Sequence, residues 1–124
     1  MKRNVVQEKT YSFALEIISV CRILQDQKDF IISNQLLKSG TSVGANVRES
    51  QSAESSKDFI HKLSVALKES KETDYWLHLL RDSELISPHV AEELISQNEE
   101  IGKILAKIII TSKRNNNIQS RPQF

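Results

Sequence analysis

The chain has 124 residues, 39% of them hydrophobic, 6% aromatic and 27% charged, with a formal net charge of +1. That length makes a single domain, and 3 glycines with 2 prolines are too few breakers for an all-β fold with many turns. The balanced charge excludes a uniformly basic surface of the kind that binds nucleic acid strongly, and the longest apolar run, Ile108-Ile109-Ile110, is too short to span a bilayer.

The first helix is expected over about residues 4–27. Phe13, Ile17, Val20 and Leu24 recur at helical spacing, and Ala14, Ile18 and Cys21 widen the stripe. Cys21, the only cysteine, reads as a small buried thiol, which suits a cytoplasmic protein. The start, Met1-Lys2-Arg3-Asn4, leads into polar residues rather than an apolar leader, which points the same way. The polar run Gln25–Asp29 should end this helix, with Phe30-Ile31-Ile32 crossing the end of the fold and Ser33 capping the next helix.

The second helix, about residues 34–51, is the stretch around which the rest is organised. It contains Ser39-Gly40-Thr41-Ser42-Val43-Gly44-Ala45-Asn46. Gly40 and Gly44 lie one turn apart on one face, and each costs about 1 kcal/mol against alanine in a helix interior. Close approach of another helix is what would offset that cost. The motif is not a phosphate loop: Ala45-Asn46 follows the second glycine where Lys and Ser or Thr belong, and no strand precedes it.

The third helix is expected over about residues 57–83, after a serine-rich break in which Ser55 and Asp58 resemble a capping box. Phe59, Leu63, Ala66, Ser70, Thr73, Leu77 and Leu80 form its seam. Tyr75, Trp76 and Leu79 leave it apolar on a second side, a sign of self-association. Glu69 and Glu72 are placed to meet Asn46 and Arg48 of the second helix. Ser87-Pro88 is a start signal for the fourth helix, about residues 88–113. Its seam is Val90, Leu94, Ile101, Leu105 and Ile108, with Asn98 as a buried amide that sets register. Residues 115–124 read as a disordered basic tail.

Four helices with short links predict an all-α, up-down-up-down antiparallel bundle. No catalytic constellation is present. The sequence lacks the Glu-x-x-His motifs of a di-iron bundle, and His61, His78 and His89 are scattered, so no metal or cofactor is expected. The cations that could touch phosphate are Lys2 and Arg3 at the start, Lys38 and Arg48 on the second helix, and Lys113 and Arg114 near the end.

The ordered set Leu36-Leu37-x-Ser39-Gly40-x-Ser42-Val43-Gly44-Ala45-Asn46-Val47-x-Glu49, Lys57-Asp58-Phe59, Leu63-x-x-Ala66-x-x-Glu69 and Glu72-Thr73-x-Tyr75-Trp76-Leu77 resembles a bacterial four-helix-bundle family. Its members are encoded in intervening sequences of 23S ribosomal RNA genes. They are related to the accessory variability protein of diversity-generating retroelements. The resemblance implies a homopentamer with no known catalytic residue, with Ser39, Gly40, Ser42, Gly44 and Asn46 as the small-residue packing motif and Glu69, Glu72, Tyr75 and Trp76 as the matching motif of the third helix, whose second apolar side puts Tyr75 and Trp76 at an oligomer interface. In the retroelement relatives it also implies binding to nucleic acid and a reverse transcriptase, so RNA or a nucleic-acid-processing protein is the expected partner, with no membrane. A protein-interaction scaffold without nucleic-acid contact is the alternative.

Overall fold

The computed structural model describes residues 4–120, with side chains through residue 116. Four helices follow in order: α1 Val5–Asp26, α2 Phe30–Ser50, α3 Ser56–Asp82 and α4 Pro88–Ser120. No strand occurs among the described residues. Each helix packs on the next and α4 returns to α1, while the backbones of the diagonal pairs stay apart. The result is the expected antiparallel four-helix bundle.

Local chemistry explains most of the boundaries. The Asn4 side chain accepts a hydrogen bond from Gln7 N–H at 3.0 Å and starts α1. Ser55 Oγ accepts from Asp58 N–H at 3.0 Å and starts α3, while Asp58 Oδ2 accepts from Glu54 N–H at 3.2 Å. Pro88 opens α4 behind Ser87, as its missing N–H allows.

The α1–α2 link departs from expectation. Lys28 takes φ 66°, its N–H donates to Gln25 O at 2.9 Å, and Asp29 N–H donates to Leu24 O at 2.8 Å. This is a Schellman closure without glycine. It turns the chain so tightly that α2 begins at Phe30, not Asn34. Ser33 is therefore inside the helix rather than capping it, and Phe30 and Ile31 stand exposed in its first turn instead of crossing the bundle end. The α3–α4 link closes identically: Glu84 has φ 61°, and Leu85 N–H donates to Leu80 O at 3.1 Å.

The last helix also exceeds its expected end at Lys113 and continues to Ser120. No glycine or proline interrupts it before Pro122, and asparagine is a weak helix former but not a breaker. Residues 121–124 of the expected tail lie outside the described residues.

The core holds the expected stripes of α1, α2 and α3, with Phe13, Ile17, Leu24, Leu36, Val43, Val47, Leu63, Leu77 and Leu80 fully buried. Phe59 is only partly buried. On α4 the inward line is Ala91, Leu94, Ile95, Asn98, Ile101, Leu105 and Ile109, and Val90 and Ile108 flank it.

Each successive helix pair is pinned by one buried polar contact. Between α1 and α2, Ser33 Oγ donates to Cys21 O at 3.2 Å and Cys21 Sγ donates to Ser33 O at 3.4 Å. Burial pushes the Cys21 thiol up from its ordinary value, so it stays protonated. Between α2 and α3, the hydroxyls of Ser39 and Thr73 lie 2.9 Å apart, and Thr73 Oγ1 is 2.8 Å from Glu69 O. A hydroxyl has one proton, so both short contacts are made when Thr73 donates to the carbonyl and Ser39 donates to Thr73. Between α3 and α4, Ser70 Oγ donates to Asn98 Oδ1 and Asn98 Nδ2 donates back to Ser70 O, both at 2.8 Å. The register role expected for Asn98 thus has a specific partner.

The glycine motif packs α2 against α1. A Cβ at Gly40 would stand 2.9 Å from Ile17 Cγ2, and one at Gly44 would stand 3.3 Å from the backbone carbonyl oxygen of Thr10. Ser42 and Asn46 act within α2 instead: Ser42 donates to Lys38 O, and Asn46 Nδ2 donates to Ser42 O at 2.9 Å. Glu69 and Glu72 make no hydrogen bond or ion pair with Asn46 or Arg48. Arg48 projects toward the α1 side of α2, away from α3.

Candidate nucleic-acid interface

The antiparallel topology segregates charge along the bundle. One end holds the start of α1, the α2–α3 link and the last turns of α4. It gathers Lys9, Arg48, Lys57, Lys62, Lys107, Lys113 and Arg114 against Glu8, Glu49, Glu54, Asp58 and Glu100. The other end holds the two Schellman links and carries Asp26, Asp29, Asp74, Asp82, Glu84, Glu92 and Glu93 against Arg22, Lys28, Lys38 and Arg81. A chain that is nearly neutral in sum is therefore dipolar in space.

At the basic end, two cations are engaged. Lys9 pairs with Glu100 at 2.7 Å and Lys62 with Glu49 at 3.3 Å. Arg48, Lys57, Lys107, Lys113 and Arg114 are exposed and make no ion pair with another described residue. At the acidic end, His78 lies 3.4 Å from Asp74, Arg81 Nε lies 2.9 Å from Asp82, and His89 lies 3.5 Å from Glu93. The Asp82 carboxylate, accepting from Arg81, raises that guanidinium's already high pKa further.

Between the α2 C-terminus, the α3 N-terminus and α4 lies a cleft of about 470 Å³ lined by Ser50, Ser55, Ser56, Phe59, Ser112 and Asn115, among others. Hydroxyl and amide groups dominate its wall, and the first turn of α3 turns its partial positive charge toward it. Such a wall can donate to phosphate or sugar oxygens, and the unpaired cations at the same end of the bundle supply charge.

The expected phosphate-contacting residues divide accordingly. Arg48, Lys113 and Arg114 all lie at the basic end, Arg48 in the α1–α2 groove. Lys38 sits ten residues before Arg48, about 15 Å away along α2, and does not join them. Lys2 and Arg3 lie outside the described residues. Lys57 and Lys107 are not among the expected cations, yet each has a signal in the sequence. Lys57 is a cation in the first turn of α3, where the helix dipole favours an anion. Lys103, Lys107 and Arg114 recur at helical spacing and form a basic stripe on the outer face of α4.

Tyr75 is exposed and its ring meets Trp76 edge-on, with centroids 5.2 Å apart at 68°. The Trp76 Nε1 donor is buried without an acceptor. Among the described residues no group of His, Cys, Asp and Glu could hold a metal ion, and no helix is long and apolar enough to cross a membrane.

The chain is similar to a crystal structure from Bacteroides thetaiotaomicron, described as a protein of unknown function from the S23 ribosomal protein family. The two share 46% identity with a TM-score of 0.82, over 84% of this chain and 97% of the other. A comparison with functionally curated proteins finds no match. The sequence profile of the 23S rRNA-intervening sequence proteins matches residues 2–107. With the bundle, the glycine-packed second helix and this match in agreement, the chain belongs to the 23S rRNA-intervening sequence protein family.

Proposed function

We propose that this protein is a non-enzymatic, cytoplasmic bundle that assembles as a homopentamer and binds RNA through its basic end. The observation that carries the RNA reading is that Lys57, Lys107, Lys113 and Arg114, from chain-distant segments and unpaired with acids, fall at the end of the bundle that also holds a hydroxyl-rich cleft. The mechanism is counterion release: each cation that neutralises a phosphate frees a condensed ion, so affinity falls with salt. Assembly multiplies the effect, because several weak basic ends presented together act as one multivalent surface. The exposed Tyr75 beside Trp76 supports assembly.

The test is fluorescence anisotropy with a short structured RNA across a salt series. Binding at low salt should weaken as salt rises. Lys113→Gln with Arg114→Gln should lower the log–log slope by roughly 2, about one for each phosphate no longer neutralised. Absence of binding at low salt would remove the RNA reading. The second reading, a protein-interaction scaffold, is favoured by the apolar surface at Tyr75. Recovery of a specific protein but no RNA from cell extract would select it.

A further inference from the structure

We infer that RNA lies lengthwise on the α3–α4 face, as a double helix held by its backbone, and does not stop at the basic end. This rests on the RNA reading proposed above and names the surface and the form of RNA it takes. Helical steps of four and three along α3 join Lys57, His61, Ser64, Lys68, Lys71 and Tyr75 in one row. The same steps along α4 join Lys103, Lys107, Ile110 and Arg114. All of these are exposed except Ser64, which is half-buried. Neither row holds an Asp or Glu, and the sequence has none after Glu100.

The two rows run side by side. The Asn98–Ser70 pair sets the register of the two antiparallel helices, and Lys71 and Lys103 line one groove of about 400 Å³ together with Leu67 and Ala106. In that register Lys57 stands level with about residue 111, and the span from Lys71 to Arg114 is about 25 Å along the bundle. Lys68, Lys71 and Lys103 lie outside the basic end and, like Lys57, Lys107 and Arg114, make no ion pair with another described residue. The neighbouring acids are few. Asp74, 3.4 Å from His78, and Glu99 line the groove beside the two lysines. Glu100 is held by Lys9, and Asp58 accepts from Glu54 N–H.

Unopposed cations spaced along such a length complement a line of anions, and a phosphate backbone is one. The form of the RNA follows from what the rows lack. Unpaired strands are gripped by stacking their bases on aromatic rings. Neither row holds Phe or Trp, and Tyr75 ends the α3 row at its far side from the basic end. Backbone contact by lysines suits a double helix, which is read by shape and phosphate.

The experiment is fluorescence anisotropy of the full chain across a salt series, with an RNA duplex and with one unstructured strand of it alone. Lys68→Gln with Lys71→Gln and Lys103→Gln removes three cations from the face and none from the end. The log–log slope for the duplex should fall by roughly 3. A control, Arg22→Gln with Lys28→Asn and Lys38→Gln, removes the same charge elsewhere and should keep the parent's slope; asparagine tolerates the left-handed backbone of Lys28. All six side chains are exposed, so helicity by circular dichroism should match the parent. Lys71→Gln alone, with a slope lower by about 1, stands in if the triple variant loses helicity. The duplex should bind several-fold tighter than the single strand at the same salt. A face variant that keeps the parent's slope while Lys113→Gln with Arg114→Gln lowers it would overturn the inference and leave RNA at the basic end. An equal loss in the control, or tighter binding of the single strand, would also overturn it. A parent that binds neither RNA at low salt would overturn both readings.

Discussion

The α1–α2 and α1–α4 seams share a helix and are built in opposite ways. In the first, Gly40 and Gly44 bring α2 onto Ile17 and the Thr10 backbone, and the Cys21–Ser33 pair locks one end. The second is the sparsest contact of the four neighbouring pairs. It carries an exposed Lys9–Glu100 pair and opens into clefts at both ends, one by Val5 and Ser12, the other by Ile23 and Pro88. The difference teaches that this bundle is held as a chain of three pinned joints, α1 to α2 to α3 to α4, rather than as a closed ring of equal ones.

Breaking a pinned joint should have the largest effect. Asn98→Ala removes both bonds to Ser70 in the interior and leaves a hole, which should cost about 2–3 kcal/mol in chemical denaturation, with an unchanged slope. Gly40→Ala comes next. The added methyl gains about 1 kcal/mol of helix propensity but must displace core residue Ile17, for a net loss of about 1–2 kcal/mol. Gly102→Ala should go the other way, with a gain of about 0.5–1 kcal/mol. A Cβ there would stand 3.7 Å from Ser70 Oγ, an ordinary contact. The smallest effect belongs to the open seam: Lys9→Gln should change stability by less than about 0.5 kcal/mol, since the pair is exposed and screened. A loss at Lys9 equal to that at Asn98 would end the contrast between joints.

Much of this is legible in the sequence. Helical spacing marks the four helices, the seams of α1 to α3, and Asn98. The small-residue motif announces a close approach, but only the topology shows that Gly40 and Gly44 face α1 while Ser39 faces α3. The start of α2 is hidden because Lys28 occupies a left-handed position that sequence rules reserve for glycine. The basic end is hidden for a different reason. Its cations come from the α2–α3 region and from α4, tens of residues apart, and a summed charge of +1 gives no hint that folding separates the two signs.

The most direct test of the whole account is the solution mass by light scattering, with and without a short structured RNA. A pentamer that binds RNA should show a mass near five times 14.2 kDa that rises when RNA is added at low salt. A monomer, or an assembly whose mass RNA leaves unchanged, would contradict it.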